Sequence, residues 1–477
     1  MKLVAGIDSS TQSTKVLLVN ADDGTVVGQA SAPHPDGTEC HPDRWWEALS
    51  AAGRGLLERA EAVGVAAQQH GMVTLDENGA VVRPAMLWND VKSAPQAAAM
   101  VQEFGGPAEW AERTGSVPTM SFTVTKLRWL AEREPEHAAR TARVLLPHDW
   151  LTWRLAGGGP LGSADPGSNG DPSVEPVTDR GDASGTGYFS PADGTWLPDF
   201  AARALGHPVA LPRVAAPAEV VGRTSWGAAI SAGTGDNMGA ALGMGLLGGD
   251  VAVSIGTSGT AYAVTSAMTA DPSGLICGFA DATGRFLPLA CTLNAARVLD
   301  VTARMLGVDA AGLSDLALKA SPGADGLVLL PYLDGERTPN RPMANGVLRG
   351  LTTSNATPEN LARAAVEAVL CSLADAIDCL RPCGITPGRV VLTGGAAKSE
   401  AVRHIAPGVF GLPVVVPEAA EYVALGAARQ AAWALSGLSE PPTWPGRPSV
   451  TFEGTVTPRV REQYGALRDD AAAWQEA

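Results

Sequence analysis

An acidic residue in a glycine-rich turn is the first group in this sequence that could do chemistry. Residues 232–237 read AGTGDN, and Asp236 precedes the small-residue segment Met238–Leu247, which predicts a helix. A carboxylate on such a loop can face a cleft and accept a proton from a hydroxyl group. An aspartate at this position can equally be a helix cap. The local sequence leaves both interpretations open.

A second carboxylate, Asp8, follows the apolar run Lys2–Ile7, which predicts a strand. It precedes the small polar turn Ser9-Ser10-Thr11 and a second predicted strand, Lys15–Asn20. Backbone amides of such a turn can approach phosphate while the carboxylate faces a metal ion. The alternative is a hairpin whose aspartate only caps its turn.

Two further loops have the composition of nucleotide-binding turns. Gly256-Thr257-Ser258-Gly259 follows the predicted strand Asp250–Ile255 and offers hydroxyls and unhindered amides for terminal phosphates. Gly394-Gly395-Ala396 follows the predicted strand Arg389–Thr393, and its small residues let a flat adenine or ribose lie against the backbone. The sequence contains neither GxGxxG nor GxxxxGK[ST], so it supports neither a Rossmann nor a Walker-type site. A dehydrogenase is therefore disfavoured.

Candidate substrate-binding residues follow another predicted strand, Val63–Gln68. They are Gln69 and His70, which stand directly before a glycine. A lone histidine is more often structural than functional, so the position of His70 is informative only together with the other motifs. Trp88 could form a wall against a polyhydroxylated ligand or lie in the core.

A repeated strand–turn–strand unit must position these loops. It occurs at the start of the chain and again roughly 250 residues later, which suggests a duplicated architecture, although so short a similarity can arise by chance. Helices are predicted at Asp43–Ala60 and Pro358–Leu380. The Gly-, Pro- and Ser-rich segment Gly157–Thr186 predicts a long surface loop.

Composition sets the outer limits. A length of 477 residues suits two domains, and the net charge of -15 argues against nucleic acid or an anionic membrane as a partner. Six cysteines without a CxxC pair predict reduced thiols. The opening MKLVAGID lacks the regions of a signal peptide, so we expect a cytoplasmic protein.

Together and in this order, the motifs resemble the FGGY family of carbohydrate kinases, from Ala5 to about Ala432. The similar segments include GIDSSTQSTK, QQHG, FTVTKLRWL, LLPHDWL, TDRGDASGT, GTGDN, SIGTSG and TGGAAKSE. The resemblance implies an α/β fold of two duplicated actin/Hsp70-like (ribonuclease H-like) domains with a cleft between them. The expected domains are residues 1–247, mainly sugar-binding, residues 248–436, mainly ATP-binding, and a C-terminal extension at 437–477.

The resemblance implies ATP-dependent phosphorylation of a sugar, with Mg²⁺ carried by ATP. Asp236 matches the family's catalytic base, and Asp8 matches its acidic phosphate-loop residue; both are expected to hold Mg²⁺ through water. The positions that match sugar contacts are Gln69, His70, Asp236 and Asn237, with Trp88 as a further candidate. The positions expected to bind ATP are Ser10, Thr11, Lys15, Thr257, Ser258, Gly394, Gly395 and Ala396.

Two departures from the family pattern affect these expectations. Ser10 stands where the family usually has glycine, and Gln69 stands where it commonly has methionine. The expected sugar is D-xylulose, with ribulose or arabinitol as alternatives. A non-catalytic actin-like ATPase or sugar-binding module is a further alternative, which the intact GDN and QQHG segments disfavour. The resemblance favours a homodimer.

Overall fold

The computed structural model describes residues 1–160 and 170–475, which form two compact units. The first unit comprises Met1–Gly245, Ser266–Leu287 and Glu421–Gly446. The second comprises Leu246–Thr265, Pro288–Ala420 and the chain from Arg447 on. Each unit is therefore built from three separate stretches of sequence. The division of the chain near residues 247 and 436 stays a prediction.

The strands are short, and most of the longer ones belong to two large sheets. In chain order they are β1 (Leu3–Ser9), β2 (Ser13–Asn20), β3 (Val26–Pro33), β4 (Glu39–Cys40), β5 (Ala62–Ala67), β6 (Val73–Leu75), β7 (Ala85–Met86), β8 (Arg143–Leu145), β9 (Val177–Thr178), β10 (Phe189–Ser190), β11 (Thr195–Trp196), β12 (Arg213–Val214), β13 (Val220–Arg223), β14 (Ala229–Ser231), β15 (Thr234–Gly235), β16 (Asp250–Ile255), β17 (Gly259–Ala263), β18 (Ile276–Ala280), β19 (Phe286–Thr292), β20 (Val328–Leu330), β21 (Val347–Arg349), β22 (Arg389–Thr393), β23 (Val414–Pro417) and β24 (Ser449–Phe452).

The helices range from a single turn to 23 residues. In chain order they are α1 (Pro42–Gly53), α2 (Ala94–Glu103), α3 (Pro107–Thr114), α4 (Thr123–Arg133), α5 (Pro135–Arg140), α6 (Pro147–Leu155), α7 (Arg180–Ala183), α8 (Pro198–Leu205), α9 (Asp236–Met244), α10 (Ala296–Leu306), α11 (Ala310–Lys319), α12 (Pro358–Leu380), α13 (Glu400–Phe410), α14 (Tyr422–Ser436) and α15 (Pro458–Gln475). Among the helices of residues 1–160 and 170–475, none combines the length and apolar character that a membrane span requires.

Six strands of each large sheet have the same order and the same relative directions. In the first unit the order is β13-β14-β5-β1-β2-β3. Strand β2 is antiparallel to both β1 and β3, whereas β1, β5 and β14 are parallel to one another. At the edge of the sheet, β13 is antiparallel to β14. In the second unit the order β24-β23-β22-β16-β17-β19 repeats this pattern strand for strand. The predicted α/β duplication is confirmed.

The central strands of the first sheet are packed on one face by α14. A side-chain carbon added at Gly6 on β1 would lie 1.9 Å from the Ala424 carbonyl oxygen, and one added at Gly64 on β5 would lie 2.3 Å from that of Ala427. Only glycine permits this approach of a helix to a sheet. The small residues in the sequence therefore serve helix-on-sheet packing within one unit.

Most predicted elements match the structure within a few residues, and α12 and β22 have the predicted bounds. The predicted helix at residues 43–60 was too long, since α1 ends at Gly53 and Gly55 takes a left-handed conformation with a φ of 74°. The predicted helix at 238–247 ends three residues early, because Gly245 takes a left-handed conformation. That helix, α9, packs against α14, and both belong to the first unit.

The predicted surface loop at residues 157–186 is only partly one. Residues 161–169 lie outside the described residues. Residues 177–186, in contrast, form β9 and α7 and are mostly buried. Their small side chains allow close packing, which a composition-based prediction mistakes for exposure. All six cysteines are reduced thiols that form no disulfide with one another, in agreement with the prediction from their spacing.

Candidate active site

Asp8 lies at the buried end of β1, where β1 pairs with both β2 and β5. The Ser10 hydroxyl donates a hydrogen bond to Asp8 Oδ1, and Lys15 Nζ lies 3.8 Å from Oδ2. Lys15 also forms an ion pair of 2.6 Å with Glu421, which lies far away in the sequence. Burial raises the pKa of the Asp8 carboxyl to about 6, although the Ser10 hydrogen bond and the Lys15 charge oppose the rise. Asp8 therefore changes its charge close to neutral pH, unlike an ordinary turn cap.

Asp236 is the first residue of α9, directly after β15, which pairs in parallel with β5. The cap position of the helix belongs to Gly235, so the local alternative that Asp236 caps α9 is wrong in that form. Oδ1 of Asp236 accepts a hydrogen bond of 2.8 Å from the Asn237 backbone amide. Burial, assisted by the negative charge of Asp8, raises the pKa of Asp236 to about 7. A carboxylate with this pKa can exchange a proton at physiological pH.

A side-chain relay links Asp236 to Gln69. The Asn237 amide nitrogen donates to Asp236 Oδ1 at 3.0 Å and to Gln69 Oε1, also at 3.0 Å. This arrangement turns the Gln69 amide nitrogen away from Asn237. Among the described residues, none accepts a hydrogen bond from that buried nitrogen. It can therefore donate to an oxygen atom of a bound ligand.

His70 follows Gln69 in an uncommon backbone conformation, with a φ of 67°. Its Nδ1 lies 2.6 Å from the Gly185 carbonyl oxygen, which can only accept, so Nδ1 carries a proton. The ring lies against Phe122, with ring centroids 4.9 Å apart. His70, which directly follows Gln69 in the chain, is thus held in place by Gly185 and Phe122.

Trp88 and Thr11 meet at the same part of the first unit. Trp88 Nε1 donates to the Thr11 hydroxyl at 2.8 Å, and the residue is 38% exposed. The alternative that Trp88 is a core residue is therefore wrong. Thr11 Oγ lies 3.5 Å from Gln68 Oε1, which neighbours the Gln69 position. The structure thus brings Thr11 and Trp88 into contact beside Gln68, which directly precedes Gln69 and His70 in the chain.

The second unit contains a separate cavity of about 590 Å³, which is within the range of small-molecule sites. Of the residues predicted to bind ATP, Thr257, Gly395 and Ala396 line it. Helices α10 and α11 supply lining residues that the sequence analysis missed, and Lys398 adds a positive charge. The remaining lining residues are Ile255, Gly256, Ala296, Leu299, Asp300, Ala310, Ala311, Leu313, Ser314, Asp315, Val366, Ser399 and Glu400.

Two predicted ATP residues of this unit do not line that cavity. Ser258 lies in the same β16–β17 turn as Thr257, and Gly394 lies at the end of β22. Gly394 has a φ of +88°, and a side-chain carbon there would lie 2.6 Å from the Ile255 carbonyl oxygen. Its role in the structure is to let the ends of β16 and β22 approach each other beside the cavity.

The first unit also contains a buried ionic group that the sequence analysis missed, here named the His148 cluster: His148, Asp149, Asp179 and Asp182. His148 Nδ1 lies 2.6 Å from Asp182, and Nε2 lies 3.3 Å from Asp149. Burial favours a neutral ring, but the carboxylates outweigh it and raise the pKa of His148 to about 9. At neutral pH the ring is therefore an imidazolium that binds several carboxyl groups together.

The His148 cluster supports the loop that carries Asp236. The Thr234 hydroxyl donates to Asp179 at 3.1 Å, and a side-chain carbon at Gly233 would lie 2.5 Å from the His148 ring. The same carboxyl groups also raise one another's pKa values; burial brings that of Asp149 to about 7. The motif LLPHDWL contains His148 and Asp149 but gave no sign of this arrangement, because Asp179 and Asp182 lie 30 or more residues further along the sequence.

Comparison with known proteins agrees with this architecture. Residues 3–244 match the N-terminal domain of the FGGY family of carbohydrate kinases, and residues 251–435 match its C-terminal domain. Xylulose kinase of Streptomyces coelicolor is 47% identical and the alignment covers 91% of this chain and 88% of the relative. That of Streptomyces rubiginosus is 46% identical, with 98% and 94% covered.

A solved structure gives the same result. The crystal structure of xylulose kinase from Bifidobacterium adolescentis superposes with a TM-score of 0.90 at 43% identity, covering 98% of this chain and 99% of that one. The chain belongs to the FGGY family of carbohydrate kinases.

Proposed function

We propose that this protein catalyses the ATP-dependent phosphorylation of D-xylulose to D-xylulose 5-phosphate, with Asp236 as the general base. The observation that carries the assignment of the base is the Asp236 carboxyl, whose pKa of about 7 suits proton exchange at neutral pH. The sugar is proposed from the relatives named xylulose kinase at 46–47% identity over most of the chain.

In the proposed reaction, Asp236 takes the proton of the attacking sugar hydroxyl. The hydroxyl oxygen forms a bond to the γ-phosphorus of ATP, and the bond from that phosphorus to the bridging β,γ oxygen breaks. ADP is the leaving group. Because phosphoryl transfer depends mainly on positioning and charge neutralisation, the protein needs a correctly placed base and not a covalent nucleophile.

The sugar would be held by Gln69, His70 and Asn237, with Trp88 as a wall. The Gln69 amide nitrogen is a buried donor turned away from Asn237, and an unpaired buried donor is costly unless a ligand satisfies it. A polyhydroxylated ligand offers the matching oxygen atoms. The exposed face of Trp88 can pack against the carbon skeleton of a sugar.

ATP would place its adenosine in the 590 Å³ cavity, against Gly395 and Ala396. Thr257 and Ser258, in the turn between β16 and β17, would donate to phosphate oxygens, with Gly394 shaping the adjoining strand end. In the first unit, Ser10, Thr11 and Lys15 are the proposed phosphate contacts, and the Lys15 ammonium lies 3.8 Å from Asp8 Oδ2.

The residues present also fit a magnesium ion bound with ATP. Asp8 is buried and Asp236 is half-buried, and the charge of Asp8 raises the pKa of Asp236, so the pair gains from a nearby divalent cation. Carboxylate oxygens, partly through water, are the ligands that Mg²⁺ prefers. The ion would neutralise charge on the phosphate oxygens. A metabolic kinase that draws on ATP would act in the cytoplasm.

The proposed function is tested by ADP release with a panel of pentuloses and pentitols. We expect D-xylulose to give the highest kcat/KM; a stronger response to ribulose or arabinitol would move the assignment to another kinase of the family. No turnover with any sugar would favour a binding module. The sugar panel tests which substrate the enzyme prefers and does not depend on whether Asp236 is the base.

The base is tested with Asp236→Asn, which keeps the size of the side chain. We expect turnover to fall by about 10²–10⁴-fold while ATP binding is retained. Asp199→Asn is the matched control, because Asp199 is an exposed aspartate in the first turn of helix α8. Near-normal turnover of the Asp236 variant would remove Asp236 from this role.

A further inference from the structure

We propose that Lys126 is a positioning residue that fixes His70 in the conformation needed for sugar binding. The inference rests on the proposed function, in which His70 contacts the sugar. Lys126 belongs to helix α4 and its side chain is completely buried, which is rare for lysine. Lys126 takes no part in the proposed reaction or in the proposed ligand contacts, so its burial requires a separate explanation.

His70 needs support because its backbone is strained. Its φ of 67° lies in the left-handed region, which side chains other than glycine adopt at a cost and mostly as isolated residues. Such conformations persist where the surroundings impose them, commonly at functional sites. The contacts that impose this one come from the first turn of α4.

The Lys126 ammonium donates to the His70 carbonyl oxygen at 2.7 Å. The Thr123 hydroxyl donates to the same oxygen at 3.2 Å. Two donors from one helical turn therefore hold the peptide that follows the His70 side chain. Rotation of this peptide toward an ordinary φ would break both of these partly buried hydrogen bonds and leave the buried Lys126 ammonium with one fewer acceptor.

The ammonium also donates to the Ser121 carbonyl oxygen at 2.6 Å. Ser121 directly precedes Phe122, whose ring lies against the His70 imidazole at 4.9 Å between centroids. One buried cation thus joins the backbone that carries the imidazole to the backbone that carries its aromatic neighbour. The Gly185 carbonyl oxygen also holds the imidazole in place by accepting a hydrogen bond from Nδ1 of His70.

The chemistry of an ammonium group suits this task. It offers three donors in a small volume, whereas a neutral side chain of similar length offers fewer. Within residues 1–160 and 170–475, no carboxylate lies within ion-pair distance of Nζ. Burial lowers the pKa of Lys126 to about 7, and the Asp90 charge only partly opposes this. The protein thus bears the cost of a buried lysine whose strongest contacts are two backbone carbonyl groups.

The test is a comparison of KM for the sugar with KM for ATP. Lys126→Met keeps the length of the side chain and removes its donors. We expect the D-xylulose KM to rise by about 10- to 100-fold and the ATP KM to change by less than about twofold. Arg128→Met is the matched control: it removes a cation from the same helix whose partners are Glu103 and Glu132, and we expect both KM values to be unchanged.

A double variant separates positioning from a general loss of structure. If Lys126 acts through the imidazole, Lys126→Met in a His70→Ala background raises the sugar KM by less than about threefold further. An equal rise in both backgrounds, or an unchanged sugar KM in the folded single variant, would overturn the inference. An unchanged sugar KM in His70→Ala would instead remove the proposed sugar contact.

If Lys126→Met does not fold, Thr123→Val tests the same inference. It removes the second donor to the His70 carbonyl oxygen without opening a cavity. We expect a smaller rise in the sugar KM, about three- to tenfold, again with the ATP KM retained. A sugar KM equal to that of the unmodified protein would contradict the role assigned to this turn of α4.

Discussion

The position of the acid limb in the pH–rate profile is the most direct test of the reasoning about Asp236. A general base must be deprotonated, so the rate falls as the pH drops below the pKa of that base. With a pKa of about 7, only about a tenth of the Asp236 carboxyl is ionised at pH 6, compared with roughly 99% for an aspartate with its ordinary value. We therefore expect kcat/KM at pH 6 to be about a tenth of its plateau.

Asp8→Asn is the perturbation that identifies the cause. The charge of Asp8 contributes to the raised pKa of Asp236, so its removal should shift the acid limb of the residual activity to lower pH. Burial is the larger cause and is unchanged, so the limb should remain above the range of an exposed aspartate. Because the two carboxyl groups interact, the unmodified protein should show two apparent pKa values that belong to the pair.

The assay measures sugar phosphate directly between pH 5.5 and 8.5, with both substrates well below KM, so that the profile reports the free enzyme. Direct detection avoids the pH dependence of coupling enzymes. A flat profile down to pH 5.5 would refute the raised pKa of the base. An acid limb that is unmoved in the Asp8→Asn variant would refute the electrostatic link between the two carboxyl groups.

Three further predictions concern other parts of the molecule. Lys15→Met removes a charge that lowers the pKa of Asp8, so the Asp8 carboxyl should titrate at higher pH when the side-chain carboxyls are followed by carbon-13 NMR; an unmoved Asp8 titration would contradict this. His148→Gln should lower stability by about 3–5 kcal/mol at neutral pH in urea unfolding, because it leaves buried carboxyl groups without their cation. The pKa of His148 is raised to about 9 in the folded protein, so the stabilisation by its charge is fully present below about pH 6.5 and is lost as the pH rises through 9. The difference in unfolding free energy between the unmodified protein and His148→Gln should therefore become smaller near pH 9, and a constant difference would contradict this. Gly394→Ala should raise the ATP KM, because the added carbon would meet the Ile255 carbonyl oxygen and the φ of Gly394 is +88°. Calorimetric titration with ATP measures the change in affinity, and an unchanged affinity would contradict this prediction.

Local patterns in the sequence were sufficient to predict the elements that carry the site. Apolar runs that end in small polar turns identified β1 and β16, and the small-residue segment after Asp236 predicted α9 to within two residues of its start. Strand positions are encoded in alternation and turn chemistry over a few residues, which a single sequence displays. The duplication was also visible there, but only the sheet order distinguished it from chance.

Contacts between distant residues were not predictable in this way. Glu421 forms the closest ion pair of Lys15, and Lys126 reaches the carbonyl of His70, yet neither partnership leaves a local pattern. The segment that contains Gly185 was predicted to be exposed because it is rich in small polar residues. Here those residues serve close packing: a side-chain carbon at Gly185 would lie 2.9 Å from the His70 ring.

The packing of α14 on the first sheet has a consequence for how the protein is made. This helix is encoded at residues 422–436, but it covers Gly6 and Gly64, which leave the ribosome more than 350 residues earlier. The nascent first sheet must therefore wait, with one apolar face uncovered, until nearly all of the chain has been synthesised. During that interval the exposed face is a natural target for chaperones, and ribosome stalling between residues 245 and 421 would yield an incomplete unit prone to aggregation.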